Sequence, residues 1–276
     1  MILLLPQSRI KKMINNLPIN IREHLGDRTY RIDNVGMSNA NVMFYEDLVL
    51  KVEKSTAEAQ REHQMYQWLQ GQLPLPNIVK AMEHEEHHYL LMEKLKGEYA
   101  CSDFWLKQPE SLVEMLVQAL QMLWNIPIEH CPYDATLSQK LKHAEYNVEH
   151  GLCDMDDAEA GTYGENGFSS PKALLEWLKQ NQPEEDLVFS HGDFCLPNIF
   201  IDQGEISGFI DLGRSGIADR YQDIALCYRS LLHNFDGRYN GGMAYPNFDP
   251  NMLFEKLNIT PDWEKIRYYI LLDELF

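Results

Sequence analysis

Between Leu187 and Gly213 the chain reads LVFSHGDFCLPNIFIDQGEISGFIDLG. Three side chains in it carry oxygen at a spacing that suits catalysis: Asp193, Asn198 five residues on, and Asp211 just before a Leu-Gly pair. The apolar runs around them, Leu187 to Phe189, Ile199 to Ile201 and Ile206 to Ile210, predict short strands. Asp193 then falls on a loop leaving the first strand, Asn198 at the mouth of the second, and Asp211 at the end of the third. Transfer of a phosphoryl group from a nucleotide asks a protein mainly to position the reactants and to neutralise charge on the phosphates. A carboxylate must face the acceptor hydroxyl, and hard oxygen ligands must hold Mg²⁺, which takes one or two protein ligands beside phosphate oxygens and water. Asp193 fits the first role, and Asn198 with Asp211 fits the second. A single Gly-Asp turn between strands would be ordinary turn chemistry. It is the ordered set of three that points to a site.

The same Asp-to-Asn separation, with a later Asp-x-Gly, marks the catalytic loop and metal site of protein kinases. Such a site also needs a cation on the phosphates, and the strand Asp47 to Val52 carries Lys51 inside an apolar run. A strand lysine is commonly an edge or solvent-facing residue. The next element favours a phosphate ligand: Ser55-Thr-Ala-Glu58 is a capping box, and Met65, Trp68 and Leu69 at helical spacing predict a helix that carries Glu62. In kinase-like sites a strand lysine that contacts the phosphates is held by a helix glutamate. Two unrelated surface charges are the alternative.

The remaining elements must build a frame around these loops. Leu75 to Lys94 predicts two strands about a polar turn from Glu83 to His88, in which His84, His87 and His88 read as solvated turn residues. Ser111-Leu-Val-Glu114 predicts a capped helix through Leu123, Asp134 to His150 a second amphipathic segment, and Ser170-Pro171 a helix to Gln180. Asp219 opens a helix through Arg229 to His233, with Arg229 an ion-pair partner, and Thr260-Pro261 is placed to cap a last helix that turns Trp263, Ile266, Ile270 and Leu271 inward. That helix runs into Asp273-Glu274-Leu275-Phe276, so two acidic side chains and a terminal carboxylate gather at the negative end of its dipole. Pro6 to Asn16 reads as a short helix or arm, Gly36 to Asn39 as a small-residue turn, and Gly237 to Asn247 as an irregular, Gly- and aromatic-rich insertion without a role.

A chain of 276 residues suits one enlarged domain or two lobes. Its formal charge of -18 at pH 7 argues against a nucleic-acid backbone or an anionic membrane as partner. It suits a cationic substrate, although acidity also serves solubility alone. Cys101, Cys131, Cys153, Cys195 and Cys227 are odd in number, spread out and without a C-x-x-C pair, which predicts a reduced, cytoplasmic setting with no disulfide framework. The apolar stretch Ile2 to Leu5 is cut off by Pro6, short of the roughly 7–15 residues of a secretory segment, and no membrane span is expected.

The strings HGDFCLPNIF and SGFIDLGRSGIADRYQDIA, with the ending PDWEKIRYYILLDELF, resemble the aminoglycoside phosphotransferase family, particularly its 3'-phosphotransferase branch. The likeness extends from about Val35 to Phe276. The resemblance implies an α+β, two-lobed protein-kinase-like fold. Residues 1–94 would form a nucleotide-binding lobe with an antiparallel sheet and one helix, and residues 95–276 a mainly helical lobe for catalysis and substrate binding. It implies ATP as donor, with GTP as the alternative, Mg²⁺ as cofactor, and transfer to a hydroxyl of an aminoglycoside, the 3' position being expected. On this resemblance Asp193 is catalytic, Asn198 and Asp211 hold the metal, and Lys51 with Glu62 serves the phosphates. Ser38 and neighbouring N–H groups would cover those phosphates, and backbone groups around Glu93 and Leu95 would pair with adenine. Asp273, Glu274 and the carboxylate of Phe276 would face the aminoglycoside, helped by the acidic residues 154–159. Val49 departs from the aromatic that stacks on adenine in some relatives, which leaves the preference for ATP over GTP open. The rivals are a kinase for another small alcohol such as choline, built on the same core, and a catalytically silent nucleotide-binding protein. Against the silent protein stands the presence of Lys51, Glu62, Asp193, Asn198 and Asp211 together.

Overall fold

The computed structural model describes residues 17–32, 40–155, 158–246 and 248–276. The expected arm at Pro6 to Asn16 and the turn at Gly36 to Asn39, Ser38 included, lie outside the described residues. Helix α1 (Ile19–Leu25) precedes strands β1 (Arg31–Ile32), β2 (Asn41–Phe44) and β3 (Leu48–Lys54), helix α2 (Ala57–Leu69), and strands β4 (Ile78–His84) and β5 (His87–Glu93). These strands form one antiparallel sheet in the order β1-β2-β3-β5-β4. β3 is therefore a central strand, and Lys51 lies between Val42 of β2 and Leu90 of β5. Strand alternation sorts its side chains. Leu48, Leu50 and Val52 pack with Ile21 and Leu25 of α1, whereas Val49, Lys51 and Glu53 line a cleft on the other face. A lysine in that position needs anionic partners, because a charge is rarely left unpaired in a covered place.

Helix α2 supplies one. Its N-cap is Thr56, whose side chain accepts from Ala59 N–H at 3.2 Å, while Ser55 donates to Glu83 at 2.7 Å. The cap thus falls one residue later than the expected box, because the strand hairpin engages Ser55. Ala59, Met65, Tyr66 and Leu69 bury one face of α2, and Glu62 lies among them. The β4–β5 hairpin turns at Glu85 and Glu86, both at positive φ. His88 is not solvated as expected: strand alternation turns it inward, where it is buried with its ring 6.4 Å from that of His63.

Beyond β5 lie β6 (Glu98–Tyr99), α3 (Asp103–Leu106), α4 (Pro109–Trp124), α5 (Leu137–Glu149), α6 (Pro171–Gln180), β7 (Leu187–Ser190), β8 (Ile199–Asp202), β9 (Glu205–Phe209), β10 (Gly216–Asp219), α7 (Arg220–Phe235), α8 (Met252–Leu257) and α9 (Trp263–Asp273). Strands β6-β8-β9 form a small sheet, and β7 pairs antiparallel with β10. Helix α4 starts at Pro109, whose fixed φ suits a first turn, so Ser111 lies inside the helix and is not its cap. Helix α9 is capped by Asp262, which accepts from the N–H groups of Glu264 and Lys265 at 3.1 and 3.0 Å, in place of Thr260-Pro261. Trp263, the first helical residue, is exposed and not inward, while Ile266 and Leu271 are buried.

One apolar cluster joins Met65 and Leu69 of α2 to Leu116 and Leu120 of α4 and to Phe189 and Phe209. A second joins Leu141, Leu174, Ile224 and Tyr268 from α5, α6, α7 and α9. The loops after β7 and β9 are anchored by this packing. No helix among the described residues is long and apolar enough to cross a membrane.

Candidate active site

The pairing of β7 with β10 brings two polar loops to one place. Asp223 of α7, fully buried, accepts from Ser190 Oγ at 2.9 Å and from the N–H groups of His191 and Gly192 at 3.0 Å each. Burial raises its carboxyl, and these donors oppose the rise. Gly192 has φ of 82°, and a Cβ there would lie 2.1 Å from the carbonyl oxygen of Arg214. The turn therefore requires glycine. His191 Nδ1 accepts from Asp193 N–H at 3.3 Å, so its Nε2 carries the proton donated to Ile210 O at 3.0 Å. The histidine ties the Asp193 loop to the strand end that carries Asp211.

Asp193 is held on both oxygens. Asn198 Nδ2 donates to Asp193 O at 2.9 Å and to its Oδ2 at 3.0 Å, and Cys195 Sγ donates to Oδ1 at 3.2 Å. Within the carboxamide only the nitrogen can donate to these two acceptors, which leaves Asn198 Oδ1 as the atom for a cation. The short helical turn Leu196–Asn198 that sets this spacing is pinned by Leu196 N–H donating to Ser230 Oγ at 3.0 Å. Burial, then the neighbouring Asp193, pushes the Cys195 thiol well above its ordinary value. It stays a protonated donor.

Lys51 Nζ lies 2.8 Å from Glu62 Oε2, 2.8 Å from Asp211 Oδ1 and 3.3 Å from Glu53 Oε1. Burial alone would lower its pKa, but Glu62, Asp211 and Glu53 outweigh it and hold Lys51 well above its usual range. Asp211 is depressed despite partial desolvation, chiefly by Lys51. Asp211 has φ 64° and ψ 51°, the left-handed region. Aspartate tolerates it better than most residues, at a cost of roughly 1–3 kcal/mol that the surrounding contacts must offset. This conformation starts the Leu212–Arg214 turn, with Gly213 so close to α2 that a Cβ would lie 2.8 Å from Glu58 Cγ.

The acidic end of α9 is not a row of free carboxylates. Arg229 of α7 pairs with Asp273, and Arg214 bridges Asp273 at 3.5 Å and Glu58 of α2 at 3.1 Å. Burial would raise Asp273, but Arg229 and Arg214 hold it below its usual value. Glu274 accepts from Glu159 N–H at 3.1 Å and lies 3.7 Å from Arg229. Burial outweighs these and lifts it to about 7. The ring of Phe276 has Arg214 and Lys140 within 6 Å, at 5.8 and 5.9 Å.

A single cleft of about 460 Å³ is lined by Lys51, Glu62, Asp193, Asn198 and Asp211, together with Glu93 and Leu95 and with Asp273, Glu274 and Phe276. All the expected site residues within the described chain meet there. At Glu93 the N–H already donates to Asn77 O at 2.9 Å, so its carbonyl is the backbone group left for a ligand. Val49, Met92, Phe200 and Ile210 provide apolar lining. Sequence reasoning missed Asp223, whose partners lie more than 30 residues away, and Cys195, whose short bond to Asp193 carries no sequence signature; it expected an ion pair at Arg229 but not that its partner is Asp273, shared with Arg214. The only local signal was Asp223 in the first turn of a helix directly after the loop it binds.

Residues 29–267 match the model of the phosphotransferase enzyme family. An aminoglycoside 3'-phosphotransferase of Enterococcus faecalis is 39% identical over 256 residues, 88% of this chain and 92% of that one. Another from Niallia circulans is 35% identical over 271 residues, 95% and 98% of the two chains. Among solved structures, an aminoglycoside-3'-phosphotransferase of type VIII superposes with a TM-score of 0.76 at 25% identity, over 98% of each chain. An aminoglycoside phosphotransferase from Streptomyces rimosus, in complex with ADP and streptomycin, shares the fold with a TM-score of 0.74 over 99% of each chain. With its kinase-like lysine, glutamate and aspartates in one cleft, and with relatives of this identity across nearly its whole length, the chain belongs to the aminoglycoside phosphotransferase family.

Proposed function

We propose that the chain transfers the γ-phosphate of ATP to the 3'-hydroxyl of an aminoglycoside and so inactivates the antibiotic. The observation that carries this reading is Asp193: a carboxylate fixed on both oxygens, in the same cleft as the Lys51–Glu62 pair and the acidic end of α9. Its relatives are aminoglycoside 3'-phosphotransferases by name.

Each group has a task set by its surroundings. Asp193 orients the acceptor hydroxyl and takes its proton. Lys51, kept cationic by its carboxylates, binds the phosphates, and Glu62 holds it in place. Asn198 Oδ1 and the Asp211 carboxylate, whose side chain is 37% exposed toward the cleft, fit Mg²⁺ as a pair of hard oxygen donors. When bound, the metal neutralises charge on the phosphate oxygens. Adenine lies in the apolar slot beside Val49 and Met92, against the backbone of Glu93 and Leu95. Val49 offers no aromatic face, so GTP is also a candidate donor. Residues 1–94 act as the nucleotide lobe and residues 95–276 as the catalytic and substrate lobe. The enzyme works in the cytoplasm, where ATP is available, and its acidic charge supports a cationic partner over a nucleic acid or a membrane.

The test is ADP release by the purified protein with Mg²⁺ and ATP, with and without kanamycin, followed by NMR of the product. Kanamycin-dependent release with phosphate on the 3'-oxygen is the expected result. Release stimulated by choline and not by aminoglycosides would overturn it.

A further inference from the structure

The loop between α7 and α8 is the segment to which the sequence attaches no role, and one of its side chains reaches the cleft. It leaves α7 after Phe235 and folds back through Gly237, Gly241 and Gly242, at φ of 94°, 73° and 93°. Gly242 N–H donates to Gly237 O at 2.8 Å, Tyr239 N–H to His233 O at 3.0 Å, and Asn240 Nδ2 to Asn234 O at 2.7 Å. Arg238 Nη1 donates to Glu159 Oε2 at 3.0 Å. The loop is thus clipped to its own helix and to the acidic segment carrying Glu159, and Glu159 N–H in turn bonds Glu274.

Tyr239 lines the same cleft as Asp193, Cys195, Asp273 and Glu274. Its ring makes a T-shaped contact with His233, with centroids 4.8 Å apart at 71°, yet the residue is 38% exposed. The ring is thus partnered by His233 while more than a third of the residue stays exposed. The carboxylates nearby are already engaged: Glu159 by His233 and Arg238, Asp273 by Arg229 and Arg214, and Glu274 by Arg229. Their charge is partly neutralised within the protein, so charge alone discriminates poorly among polycations. An aromatic face adds what they lack. It attracts an ammonium group placed over it and packs on the C–H face of a sugar ring.

Resting on the substrate reading above, we propose that Tyr239 is a specificity-determining residue, its partly exposed ring packing against an amine-bearing ring of the bound aminoglycoside. The experiment measures steady-state kinetics with kanamycin and neomycin for Tyr239→Ala, Tyr239→Leu and Tyr239→Phe, with thermal unfolding as the check on folding. Tyr239→Ala and Tyr239→Leu should raise the drug KM about 3- to 30-fold, unequally for the two drugs, with ATP KM and kcat within about twofold and Tyr239→Phe close to wild type. An unchanged drug KM in folded Tyr239→Ala and Tyr239→Leu overturns the inference while leaving the substrate reading intact. So does an equal loss in ATP KM and kcat, which would make the loop a general support. If any variant fails to fold, the remaining ones decide by the same criterion. Absence of aminoglycoside turnover in the wild-type protein would instead remove the reading on which the proposal rests.

Discussion

Asp193 takes its fixed orientation from two neighbours that differ in chemistry. Asn198 fixes one carboxylate oxygen through an amide donor, and Cys195 fixes the other through a thiol that its surroundings keep protonated. Asp193→Ala should lower kcat by about 10²- to 10⁴-fold while ATP binding, measured by calorimetry, stays near wild type. Retention of a large part of kcat would remove the aspartate from the reaction. Cys195→Ala frees Oδ1 and should reduce kcat by about 2- to 10-fold, the worth of one hydrogen bond, with Cys195→Ser recovering most of it. Equal rates in all three forms would show that the thiol is only filler. The proposed metal pair should behave differently. Asp211→Ala and Asn198→Ala should both raise the Mg²⁺ concentration needed for half-maximal rate, and Asn198→Ala should also depress kcat at saturating Mg²⁺ because Asp193 loses its donor. A magnesium titration unchanged in Asp211→Ala would contradict the ligand role.

At the scale of elements, the cleft is closed by charges that join helices distant in sequence. Arg214, from the turn after β9, reaches Glu58 on α2 and Asp273 on α9, and Arg229 on α7 meets the same Asp273. Arg229 and Asp273 are 13% and 14% exposed, so water does little to screen them. Removing one partner of a buried pair leaves the other charge uncompensated, a loss of about 3–5 kcal/mol when no second partner remains. Arg229→Ala should therefore destabilise the fold by about 2–4 kcal/mol, with Arg214 offsetting part of the loss, as read by urea unfolding. A change under about 0.5 kcal/mol would make the clasp a surface pair in energetic terms. The helix ends follow the same logic of satisfied groups. Thr56 and Asp262 cap α2 and α9 because their side chains reach the first free N–H groups, and neighbouring candidates such as Ser55 are engaged elsewhere.

For the molecule as a whole, a carboxyl buried by the packing of α9 gives a pH dependence that can be located at Glu274. Its carboxyl, ordinarily near 4.5, is lifted to about 7 by burial, which the Glu159 N–H and Arg229 only partly oppose. The folded chain thus holds a proton there that the unfolded chain releases above about 4.5, so this contribution is complete below that pH and is lost as pH rises through about 7. Relative to Glu274→Gln, which stays neutral, the wild-type protein should lose on the order of 1–3 kcal/mol between pH 5 and 8, followed as thermal midpoints in a pH series. A constant difference across that range would mean that Glu274 does not titrate there. The same deprotonation adds a negative charge to the cleft, in keeping with a cationic substrate.

What the sequence by itself determined about this protein is its set of short-range features. Strand alternation around Lys51, helix spacing around Glu62, and the Asp193, Asn198, Asp211 series all depend on periods and separations within one or two elements. So the short strands, the helix carrying Glu62 and the spacing of the candidate site were legible, while the antiparallel sheet lobe and the role of the acidic end of α9 came from family resemblance. Only the tertiary structure decided what those groups meet. It placed β3 in the centre of the sheet, engaged Asp273 with two arginines, turned His88 inward, moved three helix caps, and brought Tyr239 from an unassigned loop to the cleft. The sheet order, the arginine clasp and the placing of Tyr239 depend on contacts between residues far apart in the chain, as does the bond of Lys51 to Asp211, 160 positions apart. Burial and pairing change what a carboxylate or a lysine is chemically, and neither is a property of the local sequence.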